Sequence, residues 1–440
     1  MQEKHLVLSD VSQKLAKLFN AIKQEFPGDL NLREKSLAHF LKTGLPDKKI
    51  EEFKYTDVSG AVQELPLPAS SPSSDRVDKL VSQSILNDVE AFRIDFIDGS
   101  LVSDKKSLLT QKLPEYIEVM PLADFLSGKE TDLSLMGQVR GLQENPLYAL
   151  NGAFMKEGVV IKVKAGASLS KPLHLRFLYS DNVVMSSVRC LVLVEEGASL
   201  QIIESSESHG KVAHFLNDVL EIQIMEDADV SHIRLNDQNT EAVVLSTVGC
   251  SIGRNGVFNT WNIAAGGSLS RHQLFCAYHG EGARAQVNGV QMARDQQIID
   301  TTLQMDHAEP GGVSRELYKT VVQDQAVGVF QGKIIVEPFA QKTDGQMMSA
   351  ALLLSEQATM NNKPELEIYA NDVVCAHGAT CGELDRELLF YLMARGLPRA
   401  EAEALVIRAF LGEALDGIEP EGLVNVLEKY IGKWLELRIQ

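Results

Sequence analysis

The chain has 440 residues, 45% of them apolar, and a formal net charge of −18. That acidic balance argues against nucleic acid as a general partner, because phosphate binding needs Lys and Arg gathered on one face. No apolar run reaches the roughly 18 residues of a membrane-spanning helix, and Met1 to His5 lead into no apolar segment of a secretion signal.

In chain order, 7–25 has the spacing of an amphipathic helix, with Val11, Leu15, Leu18, Phe19 and Ile22 on one face. A second helical pattern holds Leu37 to Leu41 and stops at Gly44 and Pro46. The Pro- and Ser-rich stretch 65–74 reads as a linker. Residues 92–97, Asp98-Gly99 and 100–102 read as a hairpin with a two-residue turn. Another short helix follows at 146–154. From about 157 apolar alternation takes over, and a strand end, a small turn and a new strand recur at 161–169, 191–200, 222–230 and 261–269, with an echo at 352–360. The spacing is about 30 residues and then about 40. Such recurrence favours a β-solenoid, whose coils bury their inner faces against each other; a β-sandwich is the alternative, with turns every 8–12 residues. After Gly378 the pattern is helical again. One helix covers 385–395 with Gly396 as its stop. A second opens at Pro398. A third opens at Pro420, with Lys433 and Arg438 in its last turns. The expected divisions are a mostly helical region at 1–150 with a small hairpin, a solenoid core at 151–380 and a helical domain at 381–440. The terminal helices could be covers over the open ends of the solenoid.

The chemistry is sparse. The phosphate-cradling loop G-x-x-x-x-G-K-[ST] is absent, as are G-x-S-x-G, H-E-x-x-H and C-x-x-C. If ATP is used, a partner must bind it. The five cysteines, 190, 250, 276, 375 and 381, are too few and too odd for a disulfide framework and point to a reducing cytoplasm. Cys375 and His377 are one residue apart. In a strand they share a face, and a thiolate and an imidazole are both ligands for iron or zinc. Two ligands do not close a site, so the pair reads either as half a site completed by another chain or as a buried thiol beside a satisfied histidine. His272, Cys276 and His279 cannot converge from one strand and read as packing. Asp306, His307 and Glu309 precede Gly311-Gly312 and read as a solvated turn. Cys381 either reaches the pocket of Cys375 or is core.

The run 363–380, with Gly382-Glu-Leu-Asp385 and Leu389-Phe-Tyr-Leu392…Arg395-Gly-Leu397, resembles the C-terminal signature of the SufB/SufD family of iron–sulfur cluster assembly proteins, in its SufD branch. Tyr318-Lys319, Gly332-Lys-Ile334, Ala340-Gln-Lys-Thr-Asp344 and Leu352-Leu-Leu-Ser355 are similar to the same family, as is Gly44-Leu-Pro46…Glu52-Phe-Lys-Tyr-Thr56. The resemblance implies a mainly β protein, a right-handed parallel β-helix core flanked by helical segments, that acts as a non-catalytic scaffold. It implies a complex with SufB, whose β-helix pairs edge to edge, and with the ATPase SufC, which docks on the C-terminal helical segment through Phe390, Tyr391, Leu392 and Arg395. It also implies that His377, flanked by Cys375, holds iron or a nascent Fe–S cluster together with SufB. A flavin is associated with such complexes, and the chain alone could pair with a second copy. Removal of the C-terminal segment is expected to leave the solenoid folded. The rival readings are a SufB-like sulfur-accepting scaffold, a β-helix carbohydrate-active enzyme that would need a row of Asp, Glu and Arg on one face, and a solenoid that only tethers partners.

Overall fold

A computed structural model describes residues 9–62, 64–67, 74–102, 114–128 and 132–436. The first helix, Asp10–Ile22, starts at Ser9, whose hydroxyl accepts the Ser12 N–H, and buries Val11, Leu15 and Phe19. This is the capping chemistry a serine offers. The second, Leu30–Phe40, is longer than the sequence pattern suggested, because Asp29 caps it and Arg33 is buried against the Met155 carbonyl. The hairpin forms as expected, with Asp98 and Gly99 at φ 50° and 79° and Phe96 opposite Leu101. Its first strand, Phe92–Ile97, also pairs in parallel with Leu173–Tyr179 and so becomes part of the main sheet. The linker expected at 65–74 falls mostly outside the described residues, and so does Arg438.

Strands from Val159–Val163 to Val374–Gly382 lie in two sheets, and within each sheet successive coils pair in parallel. Asp229–Asp237, for example, lies in register between Ser199–Ser208 and Val257–Ala264. The chain is therefore mainly β and winds as a parallel solenoid, as the recurring turns suggested. One corner of every coil is built alike. Gly166, Gly197, Asp227, Asn255, Gly282, Gly311 and Lys342 all have positive φ, between 53° and 71°. Each donates its N–H to a carbonyl at the same corner of the next coil, from Gly166 to Glu196 through to Lys342 to Asp372. Glycine, asparagine and aspartate reach this conformation at low cost. The repeat is regular. It looked irregular in the sequence because the turn at 265–269 belongs to the opposite corner, whereas the true successor of Asp227 is Asn255, at an Asn-Gly turn that does not repeat the Gly-Ala-Ser of the corners at Gly166 and Gly197.

Alternate residues point inward to a core that includes Phe177, Ile202, Val248, Leu274, Tyr278, Phe330 and Ile334. The outer faces are covered by helices. Pro146–Phe154 and the two N-terminal helices pack on Phe215, Val243, Leu245 and Leu269. The C-terminal helices Arg399–Gly412 and Glu421–Glu436 pack Ile407, Leu411, Leu427 and Trp434 on Ile233, Leu235, Trp261, Val290 and Met292 of the other sheet. Tyr430 donates to Asp237 at 2.8 Å and Trp261 to the Asp416 carbonyl at 3.2 Å, while Lys319 pairs with Glu413 at 2.6 Å. The C-terminal helices thus cover a flank, not the open end. Val374–Gly382 pairs on one side only, with Asp344–Leu353, and is largely exposed. The expected independence of the solenoid from these helices does not follow, because they shield a row of large apolar residues.

Candidate functional site

The last strand brings Cys375, His377, Ala379 and Cys381 opposite Gly345, Met347, Ser349 and Ala351. Parallel neighbours in register point to the same side. Met347 is 3% exposed and Ser349 is fully buried, and a Cβ on Gly345 would touch Ser314 Oγ and the Ile334 side chain. That side is the interior. Cys375, His377 and Cys381 therefore face the mouth of the solenoid at its open end. Cys375 is half-buried, and His377 and Cys381 are exposed.

The expected pairing of Cys375 and His377 on one face is found, but the strand does not end at Gly378. It runs on to Gly382. Gly378 points outward, where a Cβ would come within 2.7 Å of Met348 Cε. The glycine makes room for a methionine rather than breaking the strand. Cys381 lies four residues beyond His377, about 13 Å along the strand, too far to share one ion with it. Among the described residues no group of three or more His, Cys, Asp or Glu is placed to hold a metal.

Burial pushes the Cys375 thiol up, the charges of Asp344 and Glu316 add to this, and a hydrogen bond with the Gly345 backbone opposes it. In the isolated chain Cys375 is a protonated thiol at neutral pH. Only a cation or a positive partner would draw off its proton.

His272 and Cys276 face the interior of Leu269–Tyr278 and are buried, with His272 Nδ1 at 3.3 Å from Ser246 Oγ. Burial holds the His272 ring well below the usual histidine range. Packing is the right reading for both, but not for His279, which lies just past the strand and is exposed. Asp306 and His307 are not in a solvated turn. They end the strand Ile298–His307 and are buried on opposite faces. Asp306 lies beside Arg140 outside, and His307 stacks on Tyr278 inside, with ring centroids 3.9 Å apart. The Gly-Gly that suggested a turn begins two residues after Glu309, once the strand has ended.

The helix Arg386–Ala394 is capped by Asp385 and buries only Leu389. Phe390 and Tyr391 are 74% and 53% exposed. The Arg395 guanidinium lies 4.7 Å over the Tyr391 ring, and Leu392 is half-buried. The helix thus leaves the large apolar side chains of Phe390 and Tyr391 exposed.

The motif around Glu52 to Thr56 has a structural role that the sequence did not reveal. Thr56 donates to Asp300, which also pairs with Arg271. Arg271 donates to the Glu52 carbonyl at 2.8 Å and stacks 4.0 Å over Phe53. Gln331 donates to the same carbonyl at 3.1 Å, and Lys363 pairs with Glu51 at 2.6 Å. The motif pins the N-terminal region to the outer face of a sheet. A cleft of about 1100 Å³ lies beside it, with Arg271 and Gln273 in its wall. Their donors are taken by Asp300, Glu52, Asn145 and Thr247. None of the buried unpartnered side-chain atoms lies in the described lining. The described lining thus offers no buried, unpartnered side-chain group to a flavin.

The fold and the last strand together define a parallel β-solenoid protein whose open end carries a thiol and an imidazole. The SUF-system FeS cluster assembly SufBD core domain matches residues 177–410, and the SufBD protein N-terminal region matches 10–175. The chain belongs to this SufBD family of iron–sulfur cluster assembly proteins. It is 31% identical over 405 residues to an iron–sulfur cluster assembly SufBD family protein of Synechocystis, covering 88% of this chain and 87% of that one. It is 28% identical over 410 residues to the iron–sulfur cluster assembly protein SufD of Escherichia coli, covering 91% and 92%. To SufD of Bacillus subtilis it is 26% identical over 435 residues, covering 96% and 98%. The resemblance read from the motifs is confirmed at the level of the family. No helix among the described residues is long and apolar enough to cross a membrane.

Proposed function

We propose that this chain is a SufD-type scaffold subunit of a cytoplasmic complex with a SufB-like β-helix and a SufC-like ATPase, and that it helps acquire iron and form the nascent cluster where the two β-helices meet. The observation that carries this reading is the placement of Cys375 and His377 on the inner face of a last strand that is unpaired on one side. An open strand edge accepts a further strand, so a partner that adds its own strand would bring its ligands to the same mouth.

Iron is cargo here. The His377 imidazole ligates it through a free nitrogen lone pair. Cys375 gives up its thiol proton only as the cation arrives, so uptake releases a proton. The partner supplies the remaining ligands. The chain itself catalyses no turnover, and ATP is hydrolysed by the partner that docks on Phe390, Tyr391, Leu392 and Arg395. In isolation the same open edge could join two copies.

Reconstitution of the three-component complex with His377→Ala tests the reading. Iron content and cluster yield per complex should collapse while the complex still assembles. Normal cluster yield from a fully assembled variant complex would overturn it.

A further inference from the structure

Glu316 lies on the inner face of Val313–Val322, and the register places it under Met347, which lies under His377. It is 3% exposed, and neither carboxylate oxygen has a hydrogen-bond partner. Burial raises its pKa to about 8. Its charge reaches Cys375, whose thiol it helps to raise. A buried acid with both oxygens unused is costly, and an apolar residue of the same size would be cheaper at this place. Next to it, Met347 occupies space left by Gly332, where a Cβ would lie 2.4 Å from the thioether sulfur. The glycine keeps that sulfur within the column. An imidazole, a thioether and a carboxylate thus stand in line inward from the mouth, beside the Cys375 thiol.

Resting on the reading of Cys375 and His377 as half of an iron site, we propose that Glu316 is a further ligand of the mouth. A divalent transition-metal ion entering there is held on the column of His377, Met347 and Glu316, with the carboxylate as its oxygen donor. Glu316 and His377 are two strand spacings apart, about 10 Å between Cα atoms. With metal–ligand bonds of about 2 Å, a glutamate and a histidine leaning towards each other span that gap. The donor set is mixed in softness and suits a borderline ion such as ferrous iron rather than calcium or magnesium. On binding, the Glu316 proton leaves to water and a carboxylate lone pair forms the bond to the ion. No electron is transferred.

The test is a titration of the full-length chain with Co²⁺ under anaerobic conditions, read by visible absorption, for wild type, Glu316→Gln and His377→Ala, each with its melting temperature. The expected result is a loss of Co²⁺ affinity of about tenfold or more in Glu316→Gln, with unfolding close to wild type, and a comparable loss in His377→Ala. Wild-type affinity in Glu316→Gln beside a weakened His377→Ala would overturn the role of Glu316 and leave the mouth reading standing. Unchanged affinity in His377→Ala would overturn the mouth reading and this one with it. If the Gln variant fails to fold, Glu316→Met fills the volume without a polar atom and is titrated in its place. Failure of both to fold would also overturn the proposal, since the acid would then be a requirement of folding.

Discussion

His377 has little packing to lose. It is exposed on a strand with one neighbour, so His377→Ala should change stability by about 0.5 kcal/mol, as for a surface residue. Iron content and cluster yield should fall far more. Thermal unfolding paired with iron analysis per folded molecule checks this, and a large fall in melting temperature with normal yield would make His377 structural. Cys375→Ala should match it if the thiol is a ligand and fall short of it if the thiol is only adjacent. His307 behaves in the opposite way. Both of its nitrogens lack partners, and burial lowers its pKa to about 3. The unfolded chain takes up this proton below about pH 6.5, whereas the folded chain resists until about pH 3. The contribution of the neutral ring is therefore complete above pH 6.5 and is lost as pH falls. At pH 4.5 the loss is about 2–3 kcal/mol. Melting curves of wild type and His307→Phe from pH 7 to 4.5 should shift in favour of the variant by that amount. Equal pH dependence would show that His307 is protonated in the folded state.

The helix Arg386–Ala394 shows most plainly what one element contributes. With only Leu389 buried, Phe390→Glu should leave the melting temperature almost unchanged and abolish association with a SufC-type ATPase in size-exclusion chromatography. Undiminished association would move the docking surface elsewhere. The helix was legible in the sequence because Asp385, the apolar spacing and Gly396 all mark it. The solenoid was legible for a similar reason, since Gly166 and Gly197 announce their corners. Lys342 does not, because a left-handed corner can be occupied by a residue that does not advertise it. The end of the last strand was misread at Gly378, where a close neighbour rather than a turn requires glycine. Cys375 and His377 could be found because their spacing carries the face they share. Glu316 could not. Its inward direction depends on strand register, which only the folded coils reveal, and the anchor formed by Thr56, Asp300 and Arg271 joins residues more than 200 positions apart.

At the scale of the molecule, the two helical layers are part of the core. Deleting 386–440 would uncover Ile233, Leu235, Trp261, Val290 and Met292 together, far more apolar surface than a soluble monomer tolerates. The truncated chain should aggregate or lose cooperative unfolding, as seen by light scattering and near-ultraviolet circular dichroism. A soluble, sharply melting product would show that the flank helices are dispensable. The corner hydrogen bonds carry one more consequence. Because each coil holds only the next, the solenoid is a zipper, and a zipper frays from its ends. An inner strand must break two interfaces to open, whereas 374–382 must break one. The thiol and imidazole therefore sit on the last coil, which breathes more than the inner coils in the free subunit. In hydrogen exchange the amides of that last strand should be among the fastest of the solenoid strands, and they should slow more than the rest when a partner strand zips onto them. Assembly would then fix the geometry of the ligands at the moment they are needed, and a lone subunit would hold its cargo loosely.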